Sequence, residues 1–87
     1  MDNNSQGAVL KRDALSFETA IIIKEKNERA GVKAEYDWIK EHYANYSIEG
    51  QKLSSFKKTP YDVITIVLSD NKKVPLYFDI SNFFGKF

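Results

Sequence analysis

From Tyr61 onward the chain reads in twos. Tyr61–Ser69 is apolar on both pleat faces and rich in β-branched residues, the pattern of a strand covered on both sides. Lys73–Ile80 alternates, with Val74, Leu76, Phe78 and Ile80 on one face and Pro75, Tyr77 and Asp79 on the other. Pro75 has no N–H to give a ladder, so this strand is predicted at an edge. Asp70–Asn71–Lys72 is the predicted turn. A loop of that length pairs Ser69 with Lys73, Leu68 with Val74, Ile66 with Leu76 and Ile64 with Phe78, gathering the large aliphatics on one face. An earlier strand, Tyr46–Phe56, flanks the other side of the centre through Lys57–Pro60. Its alternation breaks, and a bulge near Gln51–Lys52 would return Tyr46, Ile48, Gly50 and Leu53 to the core face.

The first half reads in helical steps. Val32, Tyr36, Ile39 and Tyr43 form one narrow stripe. Glu35, Asp37, Lys40 and Glu41 lie off it, and a second stripe, Ala34, Trp38 and His42, runs on the far side. An earlier helix is predicted from an N-cap at Ser16, with Glu18 in its first turn, to a C′ glycine at Gly31. Phe17, Ala20, Ile21, Ile23 and Ala30 share its face. Ile21–Ile23 is β-branched, so a strand competes there. Lys24–Ala30 is strand-poor and the cap signals bracket the segment, which favours helix. At the far end Ser81 is predicted to cap a single turn, Asn82–Phe84, ended by Gly85.

The expected fold is therefore α+β: two N-terminal helices packed on one face of a three-stranded antiparallel meander, with a short C-terminal helical turn. A polar tail over 1–12, with Met1–Gly7 frayed, precedes a single domain over 13–87. The expected core is Phe17, Ile21, Ile23, Tyr36, Ile39, Tyr43, Ile48, Leu53, Ile64, Ile66, Leu68, Leu76 and Phe78.

Composition narrows the functional classes. The chain has 87 residues, 43% hydrophobic and 29% charged, which is a globular composition. Net charge is +1, so no large field favours nucleic acid or an anionic membrane. It is distributed as +1 over 1–12, −2 over 13–44 and +2 over 45–87. There is no cysteine, hence no disulfide framework, thiol nucleophile or thiolate metal site. No apolar run reaches the ~18–20 residues of a membrane helix, and Met1–Arg12 lacks the apolar centre of a secretory signal. A cytoplasmic setting without membrane contact is the expectation.

Catalytic chemistry finds few carriers. His42 is the only histidine, and neither Asp37 nor Glu41 stands one turn from it, whereas Trp38 does. The plainer reading of His42 is a surface or packing residue, and no spacing marks a metal site. No Gly-x-Ser-x-Gly occurs, and Gly7, Gly31, Gly50 and Gly85 are too scattered to cradle phosphate. Asp62 and Asp79 fall on opposite faces of the predicted hairpin, which suits solvated strand ends better than a facing pair. The chain is expected not to be an enzyme, with no cofactor and no metal.

Two binding readings remain. The sheet face away from the helices should present Val63, Thr65, Val67, Pro75 and Tyr77, and the second helix Ala34 and Trp38. Phe83, Phe84 and Phe87 add aromatics. Apolar surface of that extent marks a protein partner or a homodimer, unless the aromatic tail folds back over it. The leading expectation is a non-catalytic protein-interaction module that docks through Val63, Thr65, Val67, Tyr77, Trp38 and Ala34. An extended Ile21–Ile23 would remove that site. The alternative is a small nucleic-acid binder using the strand-turn lysines Lys52, Lys57, Lys58, Lys72 and Lys73. Turn lysines also serve to keep sheet edges from pairing.

Overall fold

The computed structural model describes residues 11–86. The expected frayed segment Met1–Gly7, most of the tail over 1–12, and Phe87 lie outside the described residues.

The element order is β1 (Ile21–Ile22), α1 (Glu28–His42), β2 (Ser47–Phe56), β3 (Thr59–Val67) and β4 (Lys73–Asp79). The strands form one mixed sheet in the order β1-β4-β3-β2. β2, β3 and β4 are an antiparallel meander, and β1 joins β4 in parallel, with Ile21 opposite Phe78 and Ile22 opposite Asp79. The expected pair of helices on a three-stranded antiparallel sheet is therefore corrected to one helix and four strands.

The correction has a local cause. In a helix, Ile21, Ile22 and Ile23 would each lose χ1 freedom. Extended beside β4 they alternate instead: Ile21 is half-buried, Ile22 exposed and Ile23 buried, with the Ile23 N–H donating to Asp79 O at 3.1 Å. Ser16 does accept the Thr19 N–H, at 3.2 Å, but the turn it closes goes no further. The true helix start is Asn27, whose side chain accepts from the Ala30 N–H at 3.0 Å. Gly31 thus lies in the first turns of α1 and not past the end of an earlier helix. The last helical residue is His42, and the Tyr43 N–H closes on Ile39 O.

In the meander the faces are as expected but the pairing is not. Ile66 opposes Val74, Ile64 opposes Leu76 and Asp62 opposes Phe78, a shift of two residues. The Leu68 N–H donates to Lys72 O at 2.9 Å, so the loop is Ser69–Asn71, one residue earlier than predicted. Asn71 takes the left-handed position, φ 68°, which asparagine tolerates better than the lysine that the predicted loop would place there. The bulge in β2 falls between Ile48 and Gly50, not at Gln51–Lys52. β4 is an edge only where β1 does not reach; Pro75 sits there.

The core lies between α1 and the sheet face carrying Ile64, Ile66, Leu76 and Phe78, all 0% exposed. Ala14, Ile23, Ile39, Ile80 and Phe83 complete it. Ile48 and Leu53, expected inside, are exposed on β2, the margin strand of the sheet. The C-terminal turn forms, but Ser81 does not cap it: its hydroxyl donates to Asp79 Oδ1 at 2.7 Å, and the Phe84 N–H closes on Ile80 O at 2.8 Å, with Gly85 left-handed at φ 74°. It is tied to the connection between β1 and α1. The Glu28 N–H donates to Lys86 O at 2.9 Å, and Asn82 Nδ2 donates to Ile23 O at 2.9 Å.

Phe17 covers the opposite sheet face. Its ring stacks on Phe56 at 4.6 Å and meets Tyr61 and Tyr77 edge-on at 4.9 and 4.8 Å. The Tyr77 N–H donates to Ala14 O at 2.7 Å and fastens the covering segment to β4. Replacing Phe17 with alanine should cost about 2–3 kcal/mol, below the fully buried range because the ring is only half enclosed. Urea unfolding measures it; a loss under about 0.5 kcal/mol, the size of an ordinary surface substitution, would mean that the ring contributes no cover.

Candidate functional site

The residues expected to dock a partner through the sheet face do not make one open surface. Val63, Thr65 and Val67 are half-buried on the outer face. Tyr77 lies under Phe17. Trp38 and Ala34 turn inward to the core cluster, with the Trp38 ring edge-on to Phe78 at 5.7 Å. Their stripe is not the far side of α1. At about 100° per residue the stripes of Tyr36 and Trp38 are roughly 130° apart and flank one broad buried face.

The lysines divide between the two ends of the sheet. Lys57 and Lys58 occupy the β2–β3 turn, both with positive φ, and Lys57 lies over the Phe56 ring at 5.3 Å. Lys72 and Lys73 lie at the β3–β4 turn, the length of β3 away, roughly 25–30 Å. Lys73 is paired with Glu49 at 2.7 Å. Lys52 projects from the outer face of β2, opposite Val63.

His42 stacks on Trp38 at 4.0 Å, and its Nδ1–H donates to Trp38 O at 2.8 Å. Both line a cleft of ≈ 290 Å³ with Lys11, Arg12, Asp13 and Tyr43. His42 makes no other hydrogen bond among the described residues, where no three His, Asp or Glu side chains gather to hold a metal. Among these residues no helix is long and apolar enough to cross a membrane.

Among the described residues, the exposed large apolar side chains are Leu15 and Ile22 on the N-terminal side, and Ile48, Leu53 and Phe84 along and beside β2. β2 is an edge strand of ten residues, most of them exposed. Leu53 is 57% and Phe84 50% exposed. With Ser54, Ser55, Lys58 and Pro60 they line a cleft of ≈ 460 Å³ at the hairpin end of the sheet. Lys58 puts a cation at its wall, and the two serines supply hydroxyls. Sequence reasoning sent Leu53 to the core; the signal to the contrary was the broken alternation of β2.

A second feature was missed. Glu35 is 0% exposed at the middle of the buried helix face, and Asp62, 6% exposed, lies on the sheet face beneath. Burial, then a hydrogen bond to Asp62, then the Asp62 charge push the Glu35 carboxyl up to about 10. With both groups ionised neither can donate, which leaves both Glu35 oxygens without a partner among the described residues. A proton on Glu35 supplies the donor. Burial, followed by the Glu35 and Asp62 charges, also raises the Tyr36 phenol, whose O–H donates to Gln51 Oε1 at 3.0 Å.

No protein family, curated protein or solved structure matches this chain.

Proposed function

We propose that this chain is a non-catalytic protein-interaction module that receives its partner at the β2 edge and the cleft beside it. One observation carries the reading: Leu53 and Phe84 stay exposed around a ≈ 460 Å³ cleft, next to a ten-residue strand at the margin of the sheet. Apolar side chains around a concavity are the anchoring points of protein interfaces. A long edge strand also offers unpaired backbone groups to another chain. This reading puts the docking surface at the sheet margin and not on the sheet face, which Phe17 partly covers.

Peptides selected from an unconstrained displayed library test it. Selection on the intact chain should yield binders, and Leu53→Ala or Phe84→Ala should each weaken them by about ten-fold or more, as loss of an anchoring side chain does. Both side chains are half or more exposed, so the variants should unfold within about 1 kcal/mol of the parent. Failure to enrich any binder, or binders indifferent to both substitutions, contradicts the proposal.

A further inference from the structure

Resting on that reading, we infer that the partner segment is an extended peptide alternating acidic and apolar residues, which adds to the sheet as a fifth strand along β2. The free backbone of β2 suits an extended occupant. β2 pairs only with β3, and none of the turn, loop and cap hydrogen bonds among the described residues involves a β2 residue. Its outward N–H and C=O groups are spaced for another extended chain and for no other secondary structure.

The side chains of β2 alternate between the two faces of the sheet. Beyond the bulge, Lys52 projects from the outer face, Leu53 from the inner face beside the cleft, and Ser54 from the outer face again. An added strand carries the same alternation. Its inner side chains lie against Leu53 and Phe84, and its outer ones beside Lys52.

Past the bulge, the charge along β2 is of one sign. Gly50–Lys58 contains Lys52, Lys57 and Lys58 and no acid. The one acid on β2, Glu49, lies at the bulge and is engaged by Lys73 at 2.7 Å. A second copy of β2 would bring the same lysines to the same edge, with a bulge that disturbs regular pairing. An acidic strand meets complementary charge instead. β1, at the other margin, is two residues long and offers too little ladder.

Two displayed libraries of eight-residue peptides decide it, one alternating apolar residues with Asp or Glu, the other with Lys or Arg. The acidic library should give the binders. Bound, they should slow amide exchange over Gly50–Phe56, and added salt should weaken them. Lys52→Glu should lower their affinity by about ten-fold and shift selection toward the basic library, a reversal that mere unfolding cannot produce. Binders only from the basic library, binding that leaves β2 exchange unchanged, or an unshifted preference in Lys52→Glu overturns the inference. In those cases the interaction reading stands if Leu53→Ala still weakens binding by unconstrained peptides by about ten-fold or more. If no library gives a binder, the reading falls as well.

Discussion

Glu35→Gln should make this protein more stable at neutral pH, by about 3 kcal/mol. The sign follows from linkage. The Glu35 carboxyl sits near 4.5 in an unfolded chain and near 10 in the folded one, so the folded state holds its proton more tightly. Its stabilising contribution is complete below about pH 4.5, declines as pH rises, and is gone above pH 10. Over that interval the decline is about 1.4 kcal/mol per pH unit, which by pH 7 comes to about 3 kcal/mol. Glutamine keeps the shape, cannot ionise, and offers Asp62 an N–H donor. Urea unfolding at pH 5, 7 and 9 checks this. The parent should weaken steadily with pH while the Glu35→Gln variant stays level and the gap between them widens. Parent stability that rises from pH 5 to 8, as in proteins held by paired carboxylates, contradicts a protonated Glu35.

Gly31→Ala should destabilise the fold by about 2 kcal/mol, although alanine is the better helix former. A Cβ at this position would lie 2.3 Å from Phe83 Cδ2 and Cε2 and 2.7 Å from Cγ. Phe83 is 2% exposed, and its turn is anchored by the Glu28–Lys86 and Ile23–Asn82 hydrogen bonds. Displacing such a ring costs about 3 kcal/mol, against about 1 kcal/mol gained in helix propensity. The same substitution should change sign once the ring is gone: in a Phe83→Ala background, Gly31→Ala should stabilise by about 1 kcal/mol. A cost that persists there would show that something other than the ring forbids the Cβ.

Both predictions depend on residues whose place is hard to read from sequence. Gly31 looks like a stop signal, because a glycine after Lys24–Ala30 is what a helix C-terminus shows. Its use as a gap for Phe83 depends on a segment 52 positions later. Glu35 looks like a solvated acid, since charge alone assigns it to water. The angular positions contain the better clue. Val32, Tyr36, Ile39 and Tyr43 centre at about 110° and Ala34, Trp38 and His42 at about 340°, taking Gly31 as zero and 100° per residue. Glu35, at about 40°, falls midway between two stripes that are both inside.

The strands are more legible. β2 and β4 begin or end within a residue of expectation, and the face of every large aliphatic in β3 and β4 is right. Period-two alternation carries that information locally. Register does not follow from alternation, because a shift of two residues preserves the faces; it is fixed by the loop, where the left-handed position falls on Asn71. β1 is the opposite case. Two residues long, it exists only because β4 has a free edge beside Phe78 and Asp79, so a long-range partner outweighs the local cap signals. With Ile21–Ile22 extended, the preceding loop lays Phe17 over Tyr61 and Tyr77, which covers part of the expected docking face and leaves Val63, Thr65 and Val67 half-buried on it.

The most direct test of where this molecule works is an amide chemical-shift map of the isotope-labelled chain, saturated with its best selected peptide. The predicted map concentrates on Gly50–Phe56, Lys58 and Phe84. A map centred on Val63, Thr65, Val67 and Tyr77, with β2 unmoved, would contradict a binding site at the sheet margin.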